Sequence, residues 1–406
     1  MSEPLQATAS AQRRRSPLPF AIILTTFYMA ASAPTPLYRF YQETFGISPM
    51  IITLVFSVYA FALLKALLFA GSISDHIGRK PVIISSLLIE LVAMALFSYA
   101  DGTFILITAR VIQGIATGIA AASVGAALVD TDPTRGPVIN SIVPLIGMGL
   151  GAIGASLLVQ FGPHRFSLVY DLLLVAFAVE AVLLLALSET GGKKPGAWAS
   201  LKPRLAVPPQ AMDAFVLITS VNVATWTLGG FYLSIVPSLV AVTTGNRTPV
   251  VSGSVVAALL LVGAAAVLTR RLKEPMTNLY VGVVFTATGV LTVAAGVHLG
   301  AVPVILAGTV VSGIGVGTSF LGSTRHLIPL AKSDERAGLF SAFYIQTYLA
   351  LSLPVIVAGY LIRQIGYVQT TDIFTAAIVA LSIIGFMAIS REKTRAQNEA
   401  IAKETT

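Results

Sequence analysis

The sequence predicts an all-α polytopic membrane protein with twelve transmembrane helices in two six-helix bundles. Of its 406 residues, 55% are hydrophobic and only 11% are charged, whereas soluble domains carry about 25% charged residues. The apolar residues form blocks of roughly 18 to 25, the length at which a helix crosses about 30 Å of hydrocarbon. Such a segment must be helical, because only a helix satisfies its backbone groups internally. The longest polar interruption, residues 188–210, divides the blocks into six and six.

The first block follows three arginines, and its apolar stretch is longer than that of a signal peptide, so we expect it to be retained as the first helix. Eleven further blocks follow in order. The predicted helices cover residues 18–40, 50–73, 80–100, 102–129, 137–161, 166–188, 211–240, 249–269, 276–298, 301–324, 336–362 and 370–390. The predicted segments are an N-terminal tail (1–17), an N-terminal bundle (18–188), a linker (189–210), a C-terminal bundle (211–390) and a C-terminal tail (391–406).

The distribution of basic residues predicts the orientation in the membrane. If the amino terminus is cytoplasmic, 20 of the 26 lysines and arginines fall in the tails, the linker and the inner loops. Only four lie at the outer side: Arg39, Arg165, Arg247 and Arg363. This bias places both termini and the linker in the cytoplasm, and an even number of spans is required for that arrangement.

Composition also excludes several functions. The net charge of +8 does not indicate nucleic-acid binding, because the basic residues lie in short loops where they determine topology. The sequence has no cysteine and only four histidines, and it shows neither a paired metal-ligand set nor a nucleophile–base constellation. We therefore expect no enzyme activity, no metal and no organic cofactor. The sequence also has no Walker motif, which argues against ATP as the source of energy.

The two halves resemble distant copies of each other. "VIQGIATG" at residues 111–118 aligns with "VVSGIGVG" at 310–317, and "TRGPVINSIVPLIG" at 134–147 aligns with "ERAGLFSAFYIQTY" at 335–348. Both matches have an offset of about 200 residues and occur in the same order, which indicates an internal repeat. Two such repeats predict bundles that rock about a site near the middle of the membrane.

The turn between the second and third helices, "GSISDHIGRK", carries a recognisable motif. It resembles the G-x-L-x-D-R-x-G-R-K signature of the major facilitator superfamily of secondary transporters, with matches at Gly71, Asp75, Gly78, Arg79 and Lys80. The structural alternative is a tight turn that only carries positive-inside charges. The resemblance implies a cytoplasmic gate in which Asp75 docks near the start of the eleventh helix, around residues 335–338. We call residues 71–80 the signature turn.

The fourth helix carries a second motif, "RVIQGIATG". It resembles the R-x-x-Q-G motif of proton-linked members of that family, with Arg110, Gln113 and Gly114 in register. Arg110, Gln113 and Thr117 lie at i, i+3 and i+7 and share one helical face. The resemblance implies a role in proton coupling or substrate contact. The alternative is a structural arginine that pairs with backbone carbonyls.

The drug-antiporter motif G-x-x-x-G-P-x-x-G-G is only partly kept in the fifth helix. Gly147 and Gly151 match, whereas Ala152, Ala155 and Ser156 depart from it. The run of small residues predicts close packing between helices.

Four further ionisable residues fall inside the predicted spans: Lys65, Glu90, Asp171 and Glu180. Lys65 and Glu90 lie at nearly the same depth on either side of the signature turn, so an ion pair is one interpretation. The other is a carboxylate whose proton comes and goes with exposure to the cavity. Glu180 has no partner visible in the sequence and was expected to face lipid or a helix interface. Asp171 is expected to be solvated near the outer surface.

The resemblance implies a cavity lined mainly by helices one, four, seven and ten. Candidate cavity residues are Tyr28, Gln113, Thr117, Asn222 and Trp226, with Tyr344 and Tyr348 sharing a face of the eleventh helix. For each aromatic residue, packing or an interfacial position is the alternative. Such a set predicts a largely apolar pocket with a few polar groups.

The sequence favours a secondary transporter that exports small amphipathic organic compounds in exchange for protons. The alternative within transport is a proton symporter or uniporter that imports a sugar or organic acid. A receptor or an intramembrane enzyme is the alternative outside transport. We expect a monomer in a bacterial cytoplasmic membrane whose partners are the lipid bilayer and a small-molecule substrate, with protons as the coupling ion.

Overall fold

A computed structural model describes residues 16–163, 166–192, 194–203, 205–332 and 334–404. Most of the expected N-terminal tail and the predicted outer-side Arg165 lie outside these residues. The described part of the chain is helical with connecting turns, and no strand occurs in it.

The first half consists of six long helices that follow the predicted apolar blocks. They are α1 (Leu18–Ser32), α2 (Pro49–Ala70), α3 (Arg79–Ser98), α4 (Thr103–Thr131), α5 (Gly136–Phe161) and α6 (Leu168–Ala186). Proline at the first positions of α2 and α5 suits a helix start, where a missing backbone N–H has no intrahelical partner to lose.

The second half repeats this pattern. Its first four long helices are α7 (Pro209–Ser234), α8 (Pro249–Arg270), α9 (Pro275–Leu299) and α10 (Val302–Leu327). A single long helix, Arg336–Glu404, completes the chain. Eleven helices are therefore long and apolar enough to cross a membrane.

The last of these helices contains two spans. Gly366 has φ 85° and ψ 176°, outside the helical region, a conformation that glycine adopts without a Cβ penalty. It separates α11, residues 336–365, from α12, residues 367–404. The prediction of twelve spans is confirmed, but α12 extends beyond its predicted end at residue 390 to Glu404.

Both α1 and α7 continue into a second helix after an interruption. A 3₁₀ turn, Thr35–Leu37, and a helix, Tyr38–Phe45, follow α1, and Val236–Thr244 follows α7. Pro34 and Pro36 have no backbone N–H, so the carbonyls of Ala30 and Ser32 lack the donor that a helix would supply four residues later. We call residues 33–37 the α1 break.

The second bundle contains a seam in which helix backbones approach closely. Gly282, Gly289 and Gly296 of α9 lie seven residues apart. A Cβ built on them would lie 2.3, 2.3 and 2.7 Å from atoms of Ser319, Ser312 and Ile305 of α10, respectively. Helices this close need small residues at the contact.

The two bundles meet at the outer side. Thr35 Oγ1 donates to the Leu233 carbonyl (2.9 Å), and Ser238 Oγ donates to Gln42 Oε1 (3.2 Å). Deeper in the membrane, Ser57 Oγ of α2 donates to the Ser352 carbonyl of α11 (3.3 Å). These contacts close the outer side, so a cavity between the bundles can open only toward the cytoplasm.

Candidate functional site

A cavity of about 1860 Å³ lies between the two bundles. It is larger than the 300–1,000 Å³ of pockets that hold drug-sized ligands. Its deep wall is rich in aromatic side chains, among them Tyr28, Tyr59, Trp226, Phe320, Tyr344 and Tyr348. In the described part of the chain, the charged side chains that line it all belong to its cytoplasmic mouth: Asp75, Arg79, Asp130, Arg135, Lys202, Arg271 and Arg325. The structure is therefore inward-open, with an apolar interior and a charged opening.

Four of the predicted cavity residues line this cavity: Tyr28, Trp226, Tyr344 and Tyr348. The Trp226 ring meets Phe320 edge-on at 5.9 Å between centroids. The indole nitrogen of Trp226 is buried and has no hydrogen-bond partner among the described residues.

Thr117 and Asn222 lie behind the cavity wall, where both are buried. Thr117 Oγ1 donates to the Gln113 carbonyl of its own helix (2.9 Å). Asn222 Nδ2 donates to Gln346 Oε1 of α11 (2.8 Å). Because the rotation of each helix points these side chains into the bundles, they do not line the cavity: Asn222 connects α7 to α11, and Thr117 bonds within α4.

Arg110 is fully buried (0% exposed) in the outer half of the first bundle. Its Nη1 donates to the Ala31 carbonyl (2.9 Å) and to Gln113 Oε1 (2.7 Å), and its Nη2 donates to the Tyr38 hydroxyl. The guanidinium carbon lies 5.2 Å from the Tyr59 ring centroid, within the range of a cation–π interaction. Backbone, amide, hydroxyl and aromatic groups thus replace the water around the two Nη atoms, whereas Arg110 Nε is buried without a hydrogen-bond partner among the described residues.

Glu90 belongs to the same group and is also fully buried (0% exposed). Gln113 Nε2 donates to Glu90 Oε1 (3.3 Å) and to the Ala30 carbonyl (3.0 Å). Lys65, in contrast, is exposed at the surface of α2. The expected Lys65–Glu90 ion pair is therefore wrong: the residues share a depth, but their helices turn them apart. We call Arg110, Gln113, Glu90 and Tyr38 the Arg110 cluster.

The Arg110 cluster lies directly behind the cavity wall. Tyr59 and Ala31 both line the cavity, and both contact Arg110 on their other side. Tyr59 was not singled out from the sequence, although a tyrosine in the middle of an apolar helix is a signal that could have found it.

Of the two surroundings predicted for Glu180, lipid or a helix interface, the structure shows the helix interface. Glu180 is 8% exposed, and its Oε1 accepts a hydrogen bond of 2.5 Å from Thr26 Oγ1 of α1. No hydrogen bond among the described residues connects it to the Arg110 cluster. Asp171 lies near the outer surface, as expected, and accepts from Ser98 Oγ (2.5 Å).

The signature turn is held by contacts within the first bundle. Arg79 pairs with Asp75 one helical turn earlier and with Asp130 of α4, at 2.9 Å from Nε to Oδ2. Gly78 has φ +103°, in the region that favours glycine. Lys80 Nζ donates to the carbonyls of Leu185 (2.6 Å) and Leu187 (2.8 Å), and so neutralises the carboxyl end of α6.

The first part of the linker covers the signature turn. Ser72 Oγ donates to the Ser200 carbonyl (2.9 Å), and His76 Nδ1 lies 3.0 Å from the Pro195 carbonyl. Glu189 Oε1 accepts from the backbone N–H of Arg79 (2.8 Å) at the amino end of α3. Burial acts to raise the pKa of Glu189, but hydrogen bonds from the backbone amides of residues 191, 79, 80 and 190 outweigh it and hold this pKa below its usual range.

The proposed docking surface for Asp75, residues 335–338, contacts the end of the linker instead. Gln210 Nε2 donates to Glu335 Oε2 (2.6 Å), and the Ala206 N–H approaches the Gly338 carbonyl at 3.5 Å. Asp75 and Ala337 both line the cavity mouth. Because the mouth is open in this structure, docking of Asp75 stays a prediction about the closed state.

The described residues contain no group of three or more His, Cys, Asp or Glu side chains that could hold a metal ion. The charged residues of the site are instead arranged in pairs and hydrogen-bonded networks.

Comparison with known proteins identifies a family profile, curated relatives and similar solved structures. The profile of the Major Facilitator Superfamily matches residues 20–301. Among curated proteins, "Multidrug resistance protein MdtL" of Citrobacter koseri is 34% identical over 34% of this chain and 36% of the relative. The MdtL protein of Escherichia coli O139:H28 is 32% identical over 37% of this chain and 39% of its own length. The chain thus matches well under half the length of these relatives.

Solved structures support the same fold. A POT family transporter in complex with 5-aminolevulinic acid superposes with a TM-score of 0.72 at 14% identity, over 93% of this chain and 95% of the other. The human organic anion transporter MFSD10 superposes with a TM-score of 0.67 at 16% identity, over 93% and 99% of the two chains. With twelve spans, two bundles and a cavity between them, the chain is a multi-pass membrane protein and belongs to the Major Facilitator Superfamily.

Proposed function

We propose that this protein is a proton-coupled antiporter that exports small amphipathic organic compounds across a bacterial cytoplasmic membrane by alternating access. One observation carries the proposal: an aromatic cavity open to the cytoplasm has a buried carboxylate and arginine directly behind its wall. The cavity supplies a place for the compound, and the buried carboxylate supplies a place for the proton.

The cavity wall suits a compound with an apolar body and a few polar groups. Tyr28, Tyr344 and Tyr348 present rings and hydroxyls from both bundles, and the rings of Tyr344 and Tyr348 lie 6.3 Å apart between centroids. Apolar surface transferred from water to such a wall contributes about 25 cal/mol per Å². A phosphorylated metabolite would need deep cations, whereas the cations that line the cavity in the described chain lie at its mouth.

The Arg110 cluster suits the coupling step. Glu90 is fully buried and accepts a hydrogen bond from Gln113, which also contacts Arg110 behind Tyr59 and Ala31 of the cavity wall. Its access to a proton can therefore change when the bundles move. One proton that moves down a potential of 100 mV supplies about 2.3 kcal/mol. At one-to-one exchange this corresponds to a gradient of about 50-fold.

The signature turn suits the role of a cytoplasmic gate. Gly71, Asp75 and Arg79 line the mouth, and Gly78 and Lys80 fix the turn against α3 and α6. We propose that closure of the mouth brings Asp75 toward residues 335–338 of the other bundle. Drug export is also in keeping with the names of the two MdtL relatives.

Transport into proteoliposomes tests this function. With an acidic lumen, an amphipathic dye such as ethidium in the bath should accumulate inside as protons leave, and an uncoupler should abolish the accumulation. Protein-free vesicles of the same lipid are the control. Across a panel of dyes and organic anions, accumulation that requires an alkaline lumen would identify a symporter, and a requirement for ATP would exclude both.

A further inference from the structure

The contacts of the Gln113 side chain determine which of its atoms donate hydrogen bonds and which accept them. Arg110 has only donors, so the side-chain oxygen of Gln113 must face it, at 2.7 Å. Both amide N–H groups of Gln113 then point away from Arg110. One donates to the Ala30 carbonyl (3.0 Å) and the other to Glu90 Oε1 (3.3 Å). Glu90 Oε1 is therefore an acceptor in this structure.

These hydrogen bonds determine which oxygen of Glu90 is available to bind a proton. Oε1 is occupied by the Gln113 amide, whereas Oε2 is buried and has no hydrogen-bond partner among the described residues. A proton can bind at Oε2 without disturbing the bond to Gln113. Protonation changes the strength of that bond, because bonds to an ionised acceptor are about twice as strong as bonds between neutral groups.

The other bond of Gln113 reaches a carbonyl that the chain itself leaves without a donor. Ala30 would normally accept from residue 34, which is Pro34 and has no N–H. Residues 33–38 have helical backbone angles throughout, so the proline, and not a bend away from helical geometry, removes this donor. Gln113 is thus a substitute for a missing backbone amide of α1.

The α1 break also carries a contact between the bundles. Five residues after Ala30, Thr35 Oγ1 donates to the Leu233 carbonyl of α7 (2.9 Å) and helps to close the outer side. Ser32 Oγ, in the same stretch, donates to the Met148 carbonyl of α5 (2.7 Å). A change in how Gln113 holds Ala30 therefore acts on the segment that seals the outer side.

The ionisable groups around the pair of Glu90 and Arg110 come from several neighbouring elements. Arg110 is supplied by α4, Tyr59 by α2, Tyr38 by the helix after α1, and Tyr170 by α6, where it stacks on Phe97 of α3 at 4.8 Å. Arg110 is the one cation among these four. Glu180 faces Thr26 of α1 and lies outside this network.

We propose that Gln113 is the positioning residue that connects Glu90 to the α1 break, so that binding of a proton at Glu90 Oε2 shifts the equilibrium between the inward-open and outward-open states. The ionised carboxylate strengthens the network seen in the inward-open structure, and protonation weakens it. This inference rests on the proposed proton coupling, of which it specifies the connection to the moving parts.

The test measures conformation, so it does not depend on the identity of the substrate. The sequence has no cysteine, so spin labels can be attached only at introduced positions. Thr134→Cys and Leu272→Cys place one label on each bundle at the cavity mouth. In the parent protein we expect the long-distance, inward-open population to fall at least about twofold when the pH is lowered from about 8.5 to 5.5.

The variants separate positioning from structural roles. Glu90→Gln keeps the acceptor for Gln113 but cannot ionise, so its distance distribution should not change with pH. Gln113→Met and Pro34→Ala should each lose most of the pH response, the first by removing the connection and the second by giving Ala30 a backbone donor. Glu180→Gln is the matched control and should respond as the parent does.

The outcomes distinguish the two levels of the proposal. A parent protein without any pH response would contradict proton coupling itself. If the distance distribution changes with pH equally in the parent, in Gln113→Met and in Pro34→Ala, the proposed role of Gln113 is overturned. If Gln113→Met cannot be purified, Pro34→Ala decides alone, because its backbone angles already suit alanine. Loss of the response in Glu180→Gln but not in Glu90→Gln would also overturn the inference.

Discussion

The seam between α3 and α4 and the seam between α9 and α10 occupy corresponding places in the two bundles but are built differently. Glu90 and Gln113 face each other in the first. Gly289 and Ser312, each 199 residues later, face each other in the second, where a Cβ on the glycine would lie 2.3 Å from the serine oxygen. One bundle uses this position for buried polar chemistry and the other uses it for close packing.

Arg110 and its counterpart Thr309 extend the same contrast. Arg110 donates to a tyrosine hydroxyl, that of Tyr38, from a charged guanidinium. Thr309 Oγ1 lies 2.8 Å from the hydroxyl of Tyr232, so a tyrosine contact is kept but the charge is lost. Both positions thus contact a tyrosine hydroxyl, but a guanidinium and a carboxylate meet only at the position in the first bundle. We infer that the second bundle serves as the more rigid partner.

The hydroxyls of the second seam support this view. Thr286 Oγ1, Ser312 Oγ and Ser319 Oγ are buried without hydrogen-bond partners among the described residues. Each lies within 2.4 Å of a Cβ built on a glycine of the facing helix. At such a distance the hydroxyl oxygen can accept a weak Cα–H···O bond, worth about 0.5–1 kcal/mol. The hydroxyls therefore belong to the packing of the seam.

The strongest test of this comparison is the pair Arg110→Leu and Thr309→Val. Removing Arg110 leaves the Ala31 carbonyl, the Gln113 oxygen and the Tyr38 hydroxyl without their donor and leaves Glu90 without its cation. We expect a loss of about 3–5 kcal/mol in the free energy of unfolding. Thr309→Val removes two neutral hydrogen bonds, one with the Tyr232 hydroxyl and one to the Ile305 carbonyl, and should cost about 1–2 kcal/mol. Unfolding in mixed micelles with increasing SDS, followed by circular dichroism, measures both, and equal losses would contradict the comparison.

A second pair tests the packing of the α9–α10 seam. Gly289→Ala would place a methyl group 2.5 Å from the backbone nitrogen of Ser312, and we expect a destabilisation of about 1–3 kcal/mol. Gly154→Ala in α5 is the control, because no atom lies within 4 Å of its Cβ position. Alanine there should be neutral or stabilising by up to about 1 kcal/mol. The melting temperature in detergent ranks the two variants, and a tolerant Gly289 would refute close packing.

The smallest expected effect concerns the turns that precede α3 and α9. The first is capped by the Glu189 carboxylate, whereas in the second Arg325 donates to the carbonyls of Arg271 and Lys273. At pH 7, Glu189→Gln should weaken the cap by about 1 kcal/mol, and the amides of residues 79 and 80 should exchange their hydrogens about fivefold faster. Residues 270–278 should not change.

The stabilisation of the turn before α3 by Glu189 should decrease as the pH is lowered. Because the pKa of Glu189 is lower in the folded protein than usual, its contribution is complete above the pKa of unfolded glutamate. That contribution is lost as the pH falls through the lower, folded value. Acidification below about pH 4 should therefore loosen the turn before α3 in the parent protein but not in Glu189→Gln. If acidification speeds amide hydrogen exchange equally in the parent protein and in Glu189→Gln, after correction for intrinsic exchange, Glu189 does not cap α3.

Much of the fold was predictable because the membrane imposes one length and one type of secondary structure on each span. The repeat, the polar linker and the shared face of Arg110 and Gln113 all follow from spacing. The partner of Gln113 was also readable in principle, since prolines at 34 and 36 remove two backbone donors from α1. Only their meeting in space required the structure.

The rotation of each helix about its own axis was not predictable. Lys65 and Glu90 share a depth, yet one is exposed and the other fully buried. Thr117 and Asn222 lie on helices beside the cavity but point into the bundles. This rotation depends on packing against neighbouring helices, and an almost uniformly apolar sequence carries little amphipathic signal to specify it.

The linker also limits how far the two bundles can move relative to each other. The Ser200 carbonyl accepts a hydrogen bond from Ser72 of the first bundle, and the Ala206 N–H donates to the Gly338 carbonyl of the second. The chain between Ser200 and Ala206 spans at most about 20 Å when fully extended. As long as both hydrogen bonds hold, the length of this segment sets the maximum separation of the two bundles on the cytoplasmic side.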